Sequence, residues 1–161
     1  MYKKILVPLD GSELAECVLP HVETIVKGCQ VPEVIFIRVV EPSPMPSTAT
    51  DLGTVYTKAD AEETRLKMDS LNMADAQGYL DGITSQHKFG AARNRDVVLV
   101  GKAAETVAEY AEKNGVDLIV IATHGRSGVS RWVWGATADK ILRSACVPML
   151  MVRAPGCVPG I

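Results

Sequence analysis

With 161 residues, the chain has the length of one domain and enough surface to bury a core without disulfides or metals. Hydrophobic residues make up 47% of it, which excludes a disordered chain. A formal net charge of −2 leaves no basic excess to hold a phosphate backbone, so no nucleic-acid partner is expected.

The longest apolar runs, Leu118 to Ala122 and Val147 to Val152, are too short to span a membrane. Met1 to Val7 reads straight into a strand, with no signal-peptide pattern. Cys17, Cys29, Cys146 and Cys157 show no CxxC spacing and no nearby His for a zinc site. They read as unpaired thiols, and a cytoplasmic location is expected. Cys17 is expected in the core and Cys157 at the surface.

Ile5 to Leu9 is the first strand, broken by Asp10-Gly11-Ser12. Ser12 or Asp10 can cap the helix that follows. Leu14, Val18, Val22, Ile25 and Val26 recur there at helical spacing; Pro20 should kink that helix and Gly28 should stop it. Glu33 to Val40 is a second strand, apolar enough to be buried on both faces. Glu41 to Lys58 is rich in Pro, Ser and Thr and too long for a routine connection, so it reads as a functional lid or a mobile segment. Ala59 to about Gln86 is helical in composition. Asp96 to Val100 is a third strand. Ala103, Ala104, Val107, Ala108 and Ala111 mark a helix closed by Asn114-Gly115. Asp117 to Ala122 is a fourth strand, followed by a Gly-rich loop from Thr123 to Gly135. Ala138, Ile141, Leu142 and Ala145 line a last helix, and Val147 to Arg153 is a fifth strand. One α/β domain over residues 1–153 and a flexible tail over 154–161 are expected. The alternation of strand and helix predicts an open parallel sheet with helices on both faces.

Ligands of such sheets bind beyond the carboxyl ends of the strands, where the strand order reverses. Two loops there have unusual chemistry. One carries Pro8, Asp10, Gly11 and Ser12; the other carries Thr123, His124, Gly125, Ser127, Gly128 and Gly135. If their strands are neighbours, both loops face one crevice. The free N–H groups near Gly135, Ala136 and Thr137 would then form a phosphate cradle at a helix start; alternatively the glycines only permit tight turns. Neither GxGxxG after the first strand nor GxxxxGK[ST] is present. His124 has no matching nucleophile and acid, so it reads as a loop-structuring residue. Arg126 and Arg131 can reach phosphates or lie in solvent, and Asp10 can be a ribose contact or a plain cap.

Ile121-Ala122-Thr123-His124-Gly125-Arg126-Ser127-Gly128, then Gly135-Ala136-Thr137-Ala138-Asp139-Lys140, resembles the universal stress protein family. The opening Lys4 to Ser12 and the ending Cys146 to Arg153 resemble it too. The resemblance implies a Rossmann-like, adenine nucleotide alpha hydrolase-like sheet in the order 3-2-1-4-5. Family members that bind nucleotide carry G-x2-G-x9-G-[S/T]; here that register falls on Ala122, Gly125, Gly135 and Ala136. Ala122 adds a methyl where the pattern has Gly, and Ala136 lacks the hydroxyl, with Thr137 one residue on.

The resemblance further implies that Asp10 meets the ribose, that Pro8, Val39 and Ile121 border the adenine, that Gly125 and Gly135 contact phosphates, and that Leu9 and Ala122 belong to the site. His124, Arg126, Gly128, Ala136 and Thr137 complete the expected site. The expected ligand is ATP or AMP, with Mg²⁺ held through the phosphates. An apolar edge strand at Val147 to Arg153 predicts a homodimer, and an unidentified protein partner is expected. No catalytic residue is assigned, and any ATP hydrolysis should be slow. An adenylating enzyme, an interaction module that has lost nucleotide binding and a flavin protein are the alternatives.

Overall fold

A computed structural model describes residues 2–45, 58–87, 89–123 and 136–153. The expected tail at 154–161, Cys157 and most of the long segment after the second strand lie outside these residues. Five strands, β1 (Lys4–Pro8), β2 (Glu33–Val40), β3 (Arg93–Val100), β4 (Leu118–Ala122) and β5 (Met149–Val152), form one sheet in the order β3-β2-β1-β4-β5. Every pairing is parallel. The helices are α1 (Leu19–Cys29), α2 (Lys58–Gln86), α3 (Ala103–Lys113) and α4 (Ala136–Ser144).

The strands alternate residues between two cores, as period 2 requires. Val7, Val34, Phe36 and Val120 pack with Val18, Val22 and Val26 and with Leu80 and Ile83 of α2. Leu6, Ile35, Ile37, Ile119 and Ile121 face Val107 and Ala111 of α3 and Ile141 of α4. Both faces are therefore covered, which explains the unbroken apolar runs of β2 and β4. Among the described residues, no helix is long and apolar enough to cross a membrane.

Three local expectations are corrected. Pro20 does not kink a helix. The segment breaks into a 3-10 turn over Ala15–Val18 and then α1, with Pro20 in the first turn of α1, where its missing N–H has no helical acceptor to lose. Gly28 does not end α1; the helix runs on to Cys29, and Gln30 closes it in the left-handed conformation at φ 51°. β3 starts at Arg93 rather than Asp96, because edge pairing to β2 tolerates the polar run Arg93-Asn94-Arg95-Asp96. Cys17 packs half-buried against the core, as expected, and burial pushes its thiol pKa up.

The segment after β2 is described as far as Met45. Its first residues are fastened to α2: Ser43 N–H donates to Asp69 Oδ1 at 2.8 Å and Asn72 Nδ2 donates to Ser43 Oγ at 3.3 Å. The Ser43 amide is the main reason the Asp69 carboxyl lies below its ordinary pKa.

Asp96 carries a cost within this fold. Burial raises its pKa, opposed by the Thr84 hydroxyl that donates to Oδ2 at 2.9 Å, and Oδ1 has no hydrogen-bond partner among the described residues. A carboxyl whose pKa rises on folding holds its proton more tightly in the folded state. Stability is therefore highest below the unfolded pKa and falls as pH rises through the folded one. Asp96→Asn should raise the thermal midpoint at neutral pH by about 2 °C, a small figure because the group is partly screened by solvent. The gain should vanish as the pH is lowered toward 4. Thermal melts of both proteins across that range check this, and an equal gain at every pH would show that charge is not the cause.

Candidate functional site

The switch point of the sheet lies at β1, which pairs with β2 on one side and β4 on the other. The strand alternation puts Pro8 at the end of β1, Val39 of β2 and Ile121 of β4 toward the α3/α4 face. Val39 is half-buried and packs against the core on that face, and Ile121 is buried within it. Three apolar side chains from three adjacent strands thus share one face at the carboxyl end of the sheet. Leu9 is buried on the opposite side, against the α1/α2 core, while its N–H extends the β1 ladder to the Ile37 carbonyl at 2.9 Å.

Beyond Leu9 the chain turns sharply. Asp10 Oδ1 accepts the Ser12 N–H at 2.9 Å and the Ser12 hydroxyl at 2.6 Å, closing a turn around Gly11. Gly11 has φ +85°, a left-handed value that side chains disfavour. Ser12 Oγ then accepts the Ala15 N–H at 3.2 Å and caps the 3-10 turn. The capping role thus belongs to Ser12, and Asp10 shapes the loop while its carboxyl stays exposed.

At the end of β4, Ala122 is buried and Thr123 N–H donates to the Val152 carbonyl at 2.8 Å. α4 opens with Ala136 and Thr137, both exposed, and its first turn lies at the same end of the sheet as Asp10 because β4 and β5 are parallel. His124, Gly125, Arg126, Gly128 and Gly135 lie outside the described residues, as do Trp132 and Trp134. Hence Pro8, Val39, Ile121, Asp10, Ala136 and Thr137 gather at one end of the sheet, and the phosphate-loop assignments remain expectations.

Sequence reasoning missed the charged layer on the other side of the Asp10 loop. Arg38 of β2 points to the α2 face, with its side chain only 12% exposed. Its guanidinium pairs with Asp75 at 3.2 Å and lies over the Tyr79 ring, 5.1 Å from the centroid. The Tyr79 hydroxyl donates to Glu16 Oε1 at 3.0 Å. Burial first, then Glu16 and Asp10, push the Tyr79 pKa well above the ordinary tyrosine value, so the ring stays neutral. The signal was present in the sequence: Arg38 is the one charge inside Val34 to Val40.

A separate hollow of about 400 Å³ lies at the amino ends of the strands, beside Lys3, Lys4, Glu33, Arg93 and Asp117. Its groups largely satisfy one another. Asp117 Oδ2 accepts the N–H groups of Lys3 and Lys4 at 2.7 and 2.9 Å, and Lys4 Nζ donates to the Asn114 carbonyl at 2.7 Å. We read it as a staple for the start of β1.

The sequence profile described as "Universal stress protein family" matches residues 1–153. Universal stress protein MJ0577 of Methanocaldococcus jannaschii is 27% identical over 156 residues, covering 95% of this chain and 96% of that one. A solved structure of MJ0577 superposes with a TM-score of 0.81 at 25% identity, covering 98% and 99% of the two chains. A universal stress protein in complex with cAMP gives a TM-score of 0.59 at 16% identity, covering 95% of this chain and 98% of the other. A family protein from Arabidopsis thaliana with AMP bound gives 0.55 at 9%, covering 96% and 93%. The last two establish likeness of fold.

Proposed function

This chain belongs to the universal stress protein family, and from that premise we propose that it binds an adenine nucleotide, ATP or AMP, in the crevice between β1 and β4. The observation that carries this is the gathering of Pro8, Val39 and Ile121 on one face, with Asp10 and the first turn of α4 at the same end of the sheet. An apolar wall takes the base, a carboxylate takes the ribose hydroxyls, and a helix N-terminus takes phosphate. Relatives of the same fold hold AMP and cAMP, which supports a nucleotide of this class.

Occupancy of the crevice would regulate what the protein presents in a stress response, with no dedicated catalysis. Mg²⁺ would enter with the phosphates, held by them and by water. We place a homodimer contact at β5, a sheet edge on which Leu150 is exposed, with an unidentified protein as the further partner. Among the described residues Cys17, Cys29 and Cys146 form no disulfide, and the location we propose is cytoplasmic.

Calorimetry with ATP and Mg²⁺, on protein stripped of nucleotide, tests the proposal. A micromolar dissociation constant that rises about tenfold in Asp10→Ala is the expected result, the loss of one charge-assisted hydrogen bond. No heat up to millimolar ATP, AMP or cAMP would sink it and leave an interaction module as the better account.

A further inference from the structure

We propose that Arg38 is the positioning residue of the site: its guanidinium, held between Tyr79 and Asp75, braces Gly11 from behind and so fixes the direction of the Asp10 carboxylate. The role in the site rests on the nucleotide reading above; the brace on the loop does not.

The geometry is specific. A Cβ added to Gly11 would sit 3.0 Å from both the central carbon and Nη2 of Arg38, and 3.2 Å from Nη1. The guanidinium therefore crowds the space that a side chain at Gly11 would fill. Gly11 is also the residue with φ +85° between Asp10 and Ser12, so the brace bears on the middle of the turn.

Two contacts and burial hold the guanidinium in place. The Tyr79 ring lies beneath it, Asp75 pairs with it, and burial leaves the side chain 12% exposed. Tyr79 is itself tied through Glu16 to the 3-10 turn that the loop leads into. Gly11 thus lies beside Arg38 at the middle of its loop, while α2 and the 3-10 turn supply the anchors. The fork is rigid and always charged, which a lysine stem would not reproduce. An apolar residue would suit the rest of β2 here, since Val34, Phe36 and Ile37 are all fully or almost fully buried. The burial of a charge at this one place is explained by what it braces.

The test uses Arg38→Met, which keeps the apolar stem and loses the fork. Amide hydrogen exchange at Gly11 and Ser12, without ligand, should quicken about tenfold while Leu6 and Val7 keep their protection. ATP affinity should fall about tenfold in the parent protein and by less than twofold when Asp10 is already Ala, because Arg38 acts through Asp10. A purely structural role would lower stability equally in both backgrounds and leave no such coupling. Unchanged exchange at Gly11 and Ser12, or equal affinity losses in the two backgrounds, would overturn the assignment. Should Arg38→Met fail to fold, Arg38→Lys, which keeps the charge facing Asp75 and loses the planar face, gives the same readouts. If the parent protein itself does not bind ATP, the nucleotide reading fails, and the exchange measurement alone decides whether Arg38 braces the loop.

Discussion

Replacing Phe36 by Ala should lower the stability of the fold by about 3–5 kcal/mol. Phe36 sits at the middle of β2 with no exposed surface, and its ring meets that of Phe89 at a centroid distance of 5.0 Å and an angle of 43°. Two effects combine. The transfer of a large apolar side chain is lost, and the close-packed neighbours Val7, Val34 and Leu80 relax only partly into the space. The tilted ring pair adds about 0.5–1.5 kcal/mol beyond area. Urea unfolding of Phe36→Ala, Phe89→Ala and the double variant measures both terms. The double variant should be more stable than the sum of the single losses predicts, by that pair energy. Strict additivity would mean that the rings contribute only their area, and a single cost below about 1 kcal/mol would mean that the core between sheet and α2 is loosely packed.

The second large effect is a gain. Ala136→Ser should tighten ATP binding by about tenfold to a hundredfold, since a hydrogen bond to a charged phosphate contributes about 1.5–3 kcal/mol. Ala136 is exposed at the start of α4, so a hydroxyl there meets no packed neighbour that must give way. A serine at a helix start can also stabilise the fold by a fraction of a kcal/mol, so melting and calorimetry are both needed to separate fold from affinity. An unchanged dissociation constant would place the phosphates away from this helix start and weaken the case for the cradle, even if the adenine and ribose contacts hold.

The parallel sheet and both layers of helices were legible because periodicity carries them, whereas the strand order came only from the family resemblance. β2 and β4 are continuous apolar runs, and α3 shows Ala104, Val107, Ala108 and Ala111 on one face. The places where reading failed are those where local signals compete. Pro20 and Gly28 are helix breakers by propensity, yet one falls where a helix begins and the other is passed before Gln30 takes the left-handed turn. The polar half of β3 joins the sheet only because β2 offers it a partner, a tertiary cause that no window of sequence contains. In the site, the strand ends and Asp10 could be placed from motif and topology. The brace behind the loop could not, because Arg38, Gly11, Tyr79 and Glu16 come together only across the sheet and α2, with Tyr79 and Glu16 separated by 63 positions.

The order of the strands also bears on how the chain is made. β1 precedes the other four strands in the chain, yet it occupies the centre of the sheet. As the chain emerges, β2 and later β3 can cover one side of it, but its other side waits for β4, and the staple from Asp117 to the Lys3 and Lys4 amides spans more than a hundred positions. Until residue 118 is available, the nascent protein carries an open strand of Ile5, Leu6 and Val7 with no ladder partner on that side. An unpaired edge of this kind can pair with other chains, so protection of the nascent protein depends on how soon β4 arrives.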